Sequence, residues 1–421
     1  MSYRKMLVLV LFLIMLITDA GLAADVSQIP SFEPHFDLII RPVSLWRPHF
    51  AVKGSVAIPG HVEKVEFARI PGQEFIFRVN GIEQSLDESG MLVRPASALS
   101  TEPWLVAFEG ISQLRAPKSL ASGDEVYCLN NCPPSPEILT DAPSRYNVKY
   151  DLPAGYSAIS FDSEIPSSMG LQFQIARFQP PIIRKTTNFS FEYVFPEGFN
   201  ADSAYLDFLE ATMEKWFELF GSPGFSTVRI GVIRRGEARG EINGSPCGNL
   251  ILLSRSALGG KVDLSGLAAM GIDNSSATQF RKMVIAHELS HFWFGVKFTG
   301  HDGWMTEGIP QYLGMYAVRQ ENPDQVRPLL VFTEHLDKMI PQDVIPDNPF
   351  SDDQILYIKA YYQGSLALFR IGEMIGHENL HGLLRVVFDE NKNPAFADFD
   401  RHFKQLYPEK HQDWLKAWRV K

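Results

Sequence analysis

The segment that most constrains this chain is His287-Glu288-Leu289-Ser290-His291, followed by Trp304-Met305-Thr306-Glu307-Gly308. The first block demands a helix. Two histidines four residues apart on a helix lie on one face, about 6 Å apart along the axis. From there both rings can reach one Zn²⁺ at about 2.0–2.1 Å. Glu288 is turned aside from that face and is free to act on water instead of ligating. Gln279 to Ala286 leads in without Pro or Gly. Phe292, Trp293 and Phe294 are expected to prolong the helix, with Gly295 as its stop. A catalytic zinc site takes three protein ligands. Glu307, near the start of a second helix expected over 306–320, is the third. The pentapeptide alone also arises by chance on amphipathic helices. The downstream Trp-x-x-Glu-Gly makes the metal reading specific. One Zn²⁺ per chain is expected, on His287, His291 and Glu307.

These blocks resemble the aminopeptidase N family of gluzincins. His287 to Gly295 is similar to its H-E-L-A-H-x-W-F-G signature, and Trp304 to Leu313 to its W-L-N-E-G-F-A-x-Y segment. Tyr361-Tyr362-Gln363-Gly364-Ser365 resembles its Y-E-K-G-A segment. The resemblance implies that Tyr361 stabilises the tetrahedral intermediate. It spans roughly residues 200–421 and is strong over about 40 of them. It implies a thermolysin-like, two-lobed peptidase with Glu288 as general base, acting on a peptide or protein substrate.

The chain departs from the family in three places. Fifteen residues separate His291 from Glu307, fewer than in the family. The family's G-x-M-E-N motif, whose Glu grips the substrate amine, has no clear counterpart. Its place falls to Gly240-Glu241-Ile242-Asn243-Gly244 or to the segment just before Gly248. Only about 110 residues follow Glu307, too few for the family's large helical domain. Exopeptidase and endopeptidase activity both remain open. So do two other readings: a zinc-retaining binding protein without turnover, and a zinc hydrolase of a non-peptide amide or ester.

The fold expected is α+β, in three regions. Residues 1–23 read as a signal peptide: Arg4 and Lys5, an apolar run from Met6 to Ile17, then Gly21 and Ala23. The run is too short for an ordinary membrane span, so export to a periplasmic or extracellular space follows, with cleavage after Ala23 and no stable membrane insertion afterwards. Residues 24–195 read as β-rich, from alternation in Phe36–Arg41, Lys64–Arg69, Glu74–Val79 and Gly170–Ile175. A β-sandwich without chemistry of its own is the simplest role for this region. Residues 196–421 read as the peptidase domain. A helix is expected over 205–219, strands over 227–233 and 250–253, and helices over 324–340, 357–375, 377–390 and 396–406 in the mostly helical C-terminal half.

The formal charge of −10 argues against nucleic-acid binding. Apolar residues make up 45% of 421 positions, enough for two cores. Cys128 and Cys132 are spaced to close a small loop in an oxidising compartment, and Cys247 reads as a buried thiol.

Overall fold

The computed structural model describes residues 32–418 except 45–48, 69–72, 95–100, 114–118, 122–124, 130–134, 137, 141, 166–169, 235–241, 266–271, 296, 299–302, 340–358 and 392. The architecture is α+β, as expected. Strands dominate the first half and helices the second.

The N-terminal half contains a six-stranded sheet. Its order is Arg145–Tyr150, His35–Ser44, His49–Ile58, Trp104–Gln113, Gln73–Val79, Ile82–Gln84. The His35–Ser44 strand pairs with Arg145–Tyr150 in parallel; the other pairs are antiparallel. Alternation does what period two requires: Phe36, Leu38 and Ile40 are buried and Ile39 is exposed. A four-stranded sheet (Ser157–Ser160, Phe173–Ala176, Glu125–Cys128, Ser119–Ala121) shares its core, with Phe173 edge-on to Phe50 at 5.4 Å between ring centres.

A five-stranded sheet underlies the expected site, in the order Ile182–Lys185, Ser190–Val194, Thr227–Ile233, Leu250–Ser254, Gly244–Cys247. The expected boundary at 195/196 therefore follows the end of a strand of this sheet. The sheet takes in residues from Ile182 onward because Ser190–Val194 pairs in parallel with Thr227–Ile233. Helix α1 (Ser203–Phe220) makes the crossover, its first turn capped by the Asp202 side chain. The Leu250–Ser254 strand explains its uninterrupted apolar run. Ile251 and Leu253 join the helical core, while Leu250 and Leu252 join the core of the N-terminal region. Both faces are covered, so both faces are apolar.

The helical half comprises α2 (Ala277–Ser290), α3 (Ile309–Glu321), α4 (Arg327–Met339), α5 (Gly364–Ile375), α6 (His377–Glu390), α7 (Phe396–Leu406) and α8 (His411–Ala417). Helix α2 is shorter than expected. It ends at Ser290, with His291 as its C-cap. Phe292 and Trp293 then donate to the Leu289 and Ser290 carbonyls in tight turns. All three aromatic side chains are buried in the helical core beyond that exit. Two helices also open differently from expectation. Trp304–Gly308 and Lys359–Gln363 are π turns preceding α3 and α5. Such turns recur at functional sites, and these two carry Glu307 and Tyr361. No helix among the described residues is long and apolar enough to cross a membrane.

Candidate metal centre

Helix α2 brings His287 and His291 to one point at its C-terminal end. Their Nε2 atoms are 3.0 Å apart, and both rings are buried. The π turn ahead of α3 adds Glu307, whose Oε2 lies 3.4 Å from His287 Nε2 and 3.5 Å from His291 Nε2. The fifteen-residue connection thus closes the group despite its shortness. Gly314 on α3 allows the approach: a Cβ there would stand 2.6 Å from the Met283 carbonyl oxygen and 3.4 Å from His287 Cβ.

The donor set fits a cation. Burial depresses the pKa of His287 to about 3 and that of His291 to about 4, the latter against the pull of the Glu307 charge. Both rings are therefore neutral near pH 7. His291 Nδ1 faces the Phe294 carbonyl at 3.2 Å, an acceptor that places the proton there and leaves Nε2 a lone pair. Tyr361 Oη lies 2.8 Å from His287 Nε2, where a donating hydroxyl likewise makes Nε2 the acceptor. Two lone pairs and a carboxylate thus converge within a group whose candidate ligand atoms lie within 4.8 Å of one another. Buried acceptors crowded together call for a shared cation, and two imidazoles with one carboxylate suit Zn²⁺.

Glu288, also buried, faces the sheet edge. A Cβ on Gly244 would stand 2.6 Å from Glu288 Cγ and 2.9 Å from its Cδ. Gly244 begins the edge strand, so the backbone of that strand and the Glu288 carboxylate face each other directly.

The Tyr361 ring stacks on the His287 ring with centres 5.2 Å apart. Tyr362, the next residue, is half-buried and packs edge-on against Phe332. Gln311 is buried beside His287 and works against the burial shift, though His287 Nδ1 has no partner in hydrogen-bond geometry. Arg281 is structural: its guanidinium binds the Ser256 and Gly260 carbonyls and the Tyr205 hydroxyl. Cys247 is buried with Sγ 3.1 Å from the Gly170 carbonyl oxygen. Glu241, His301, Asp302, Tyr357 and Cys132 lie outside the described residues, so the amine-anchor role for Glu241 and the Cys128–Cys132 loop do as well.

A second H-E-x-x-H, His377-Glu378-Asn379-Leu380-His381, opens α6. It belongs to a hydrogen-bonded chain. Tyr312 Oη stands 2.9 Å from His377 Nδ1 and 3.0 Å from His381 Nε2, and Glu373 takes His377 Nε2 at 3.0 Å. Among the described residues no carboxylate joins both histidines as Glu307 does at the first motif.

A thermolysin-like arrangement with H-E-x-x-H and a downstream glutamate defines a zinc-dependent hydrolase of the gluzincin class. Residues 267–418 match the Peptidase family M1 domain. The chain is accordingly a zinc metallopeptidase, similar to aminopeptidase N, using a single catalytic zinc for peptide-bond hydrolysis. Its fold is that of the M1 zinc metallopeptidase from Deinococcus radiodurans, with a TM-score of 0.65, 14% identity, and coverage of 95% of this chain and 96% of the other. A mutant of that protein bound to a Tyr-Ser-Ala substrate gives a TM-score of 0.62 at 15% identity, covering 95% and 96% of the two chains. A two-domain M1 zinc metallopeptidase mutant bound to L-arginine gives 0.64 at 15%, covering 96% of each. No curated protein matches the sequence.

Proposed function

We propose that this chain hydrolyses extended peptides laid along the Gly244–Cys247 strand, with His287, His291 and Glu307 holding the zinc. The observation that carries this reading is the position of Glu288, directly against Gly244 at the start of an edge strand of the five-stranded sheet. Zinc held there supplies Lewis-acid chemistry, polarising a carbonyl and acidifying water. Glu288 takes the proton from the attacking water and returns it to the leaving amine. Tyr361 donates its hydroxyl to the oxyanion that develops on the scissile carbonyl. The edge strand offers main-chain hydrogen bonds that orient any sequence in extended form, the usual mode of strand addition.

The test is a zinc-loaded preparation given a peptide pool, half with free and half with acetylated N-termini, beside Glu288→Gln. Trimming of the free-amine half alone would establish an aminopeptidase. Internal cuts in both halves would establish an endopeptidase. Cleavage no greater than that of Glu288→Gln would refute the peptidase roles assigned here. We further propose export of the chain, supported by the charged and apolar pattern of residues 1–23. N-terminal sequencing of the exported protein is expected to begin at Ala24.

A further inference from the structure

We propose that Gln172, from the N-terminal β region, is a positioning residue of the peptidase site. It holds the Gly244–Cys247 strand at the height over Glu288 that a substrate needs. The inference rests on the reading that this strand borders the cleft.

Gln172 is fully buried and turns both ends of its amide onto one residue of the edge strand. Its Nε2 donates to the Ser245 carbonyl at 2.8 Å, and its Oε1 accepts from Ser245 Oγ at 2.9 Å. Two residues along in each segment, Cys247 Sγ meets the Gly170 carbonyl oxygen at 3.1 Å. The segment before the Phe173–Ala176 strand therefore runs against the edge strand at matched intervals. Two residues on from Gln172, Gln174 donates from Nε2 to the Val232 carbonyl at 2.7 Å. This tie reaches the centre of the same sheet.

Period two gives the strand two faces. Ser245 and Cys247 point to the N-terminal region, and Gly244 points to Glu288. The strand is short, carries Pro246, and pairs within its sheet with Leu250–Ser254 alone. A four-residue edge strand with a proline in it has few ladder bonds to fix its height. The amide of Gln172 supplies what the ladder lacks, on the face opposite the general base. A shift of the strand changes the gap at Gly244, and with it the line along which a peptide meets Glu288. The β-rich region is then part of the catalytic apparatus rather than a passive neighbour.

The experiment compares full-length Gln172→Leu, Ser245→Ala and the double variant with wild type. Two substrates are used: a hexapeptide long enough to lie along the strand, and a single-residue chromogenic amide that is not. Hydrogen exchange at 244–247 is followed in the same preparations. In Gln172→Leu, kcat for the hexapeptide should fall tenfold or more while the short amide changes less than twofold. Exchange at 244–247 should quicken at least tenfold, with zinc content unchanged. The double variant should be no worse than Gln172→Leu, because both changes remove one linkage. Equal losses on both substrates would overturn the proposal, as would additive effects or unchanged exchange at 244–247. A wild-type protein that cleaves neither substrate would refute the peptidase reading instead, and the exchange result would still decide whether Gln172 holds the strand.

Discussion

Replacing Tyr361 with phenylalanine should move two measurements in opposite directions. The Tyr361 hydroxyl lies 2.8 Å from His287 Nε2, the atom that would hold the zinc. A cation on Nε2 would compete with a hydrogen bond from that hydroxyl. The net worth of such a bond is about 0.5–1.5 kcal/mol, so its removal should tighten zinc binding by roughly 2- to 10-fold. The same hydroxyl is the donor assigned to the oxyanion. Loss of one such donor costs about 2.7–4 kcal/mol, or roughly 100- to 1000-fold in kcat. The phenyl ring keeps the stacking on His287, so packing is preserved. Zinc affinity is read by competition with a chromophoric chelator, and kcat from saturating peptide. Weaker zinc binding together with lower kcat would refute the argument, for it would mean that the tyrosine merely supports the site. Unchanged kcat would remove its catalytic role.

Three further outcomes follow from the geometry. Gly244→Ala puts a methyl group against Glu288 and within 2.8 Å of Leu253 Cδ2. It should displace the base and cut kcat by about tenfold or more with zinc retained, as activity assays and metal analysis would show. Metal-free protein should lose stability in acid, because burial lowers the pKa values of His287, His291 and His381 to about 3, 4 and 3. The unfolded chain takes up these protons as pH falls below about 6.5 and the native state does not, so the loss is absent above that pH. By pH 4 it reaches roughly 3 kcal/mol for each ring, and urea midpoints that stay level between pH 7 and 4.5 would contradict it. Tyr312→Phe strands the buried partners on α6 and should cost about 1–3 kcal/mol in denaturant unfolding while leaving kcat/KM unchanged, since the second histidine pair serves packing.

The candidate ligand group was legible because its spacing is local. A helix must put His287 and His291 on one face whatever surrounds it, and Glu307 lies close enough in sequence for a single turn of chain to bring it in. The N-terminal strands were legible for the same reason, as alternation in Phe36, Leu38 and Ile40 already states which side is buried. The end of α2 was not. Phe292, Trp293 and Phe294 continue the helical composition, but the turns that bury them depend on what packs around them.

Helical periodicity is equally silent on the second H-E-x-x-H. His377 and His381 repeat the spacing of the first pair, and only the fold places Tyr312 between them instead of a carboxylate. The sequence by itself pointed to zinc and to the side chains that could hold it, because these follow from the 3.6-residue repeat and the chemistry of the side chains. Tertiary structure alone decided that Gly244 faces Glu288 and that Gln172 reaches Ser245 from 73 residues away. Contacts of that range depend on how the sheets stack, and no local pattern in the chain encodes the stacking.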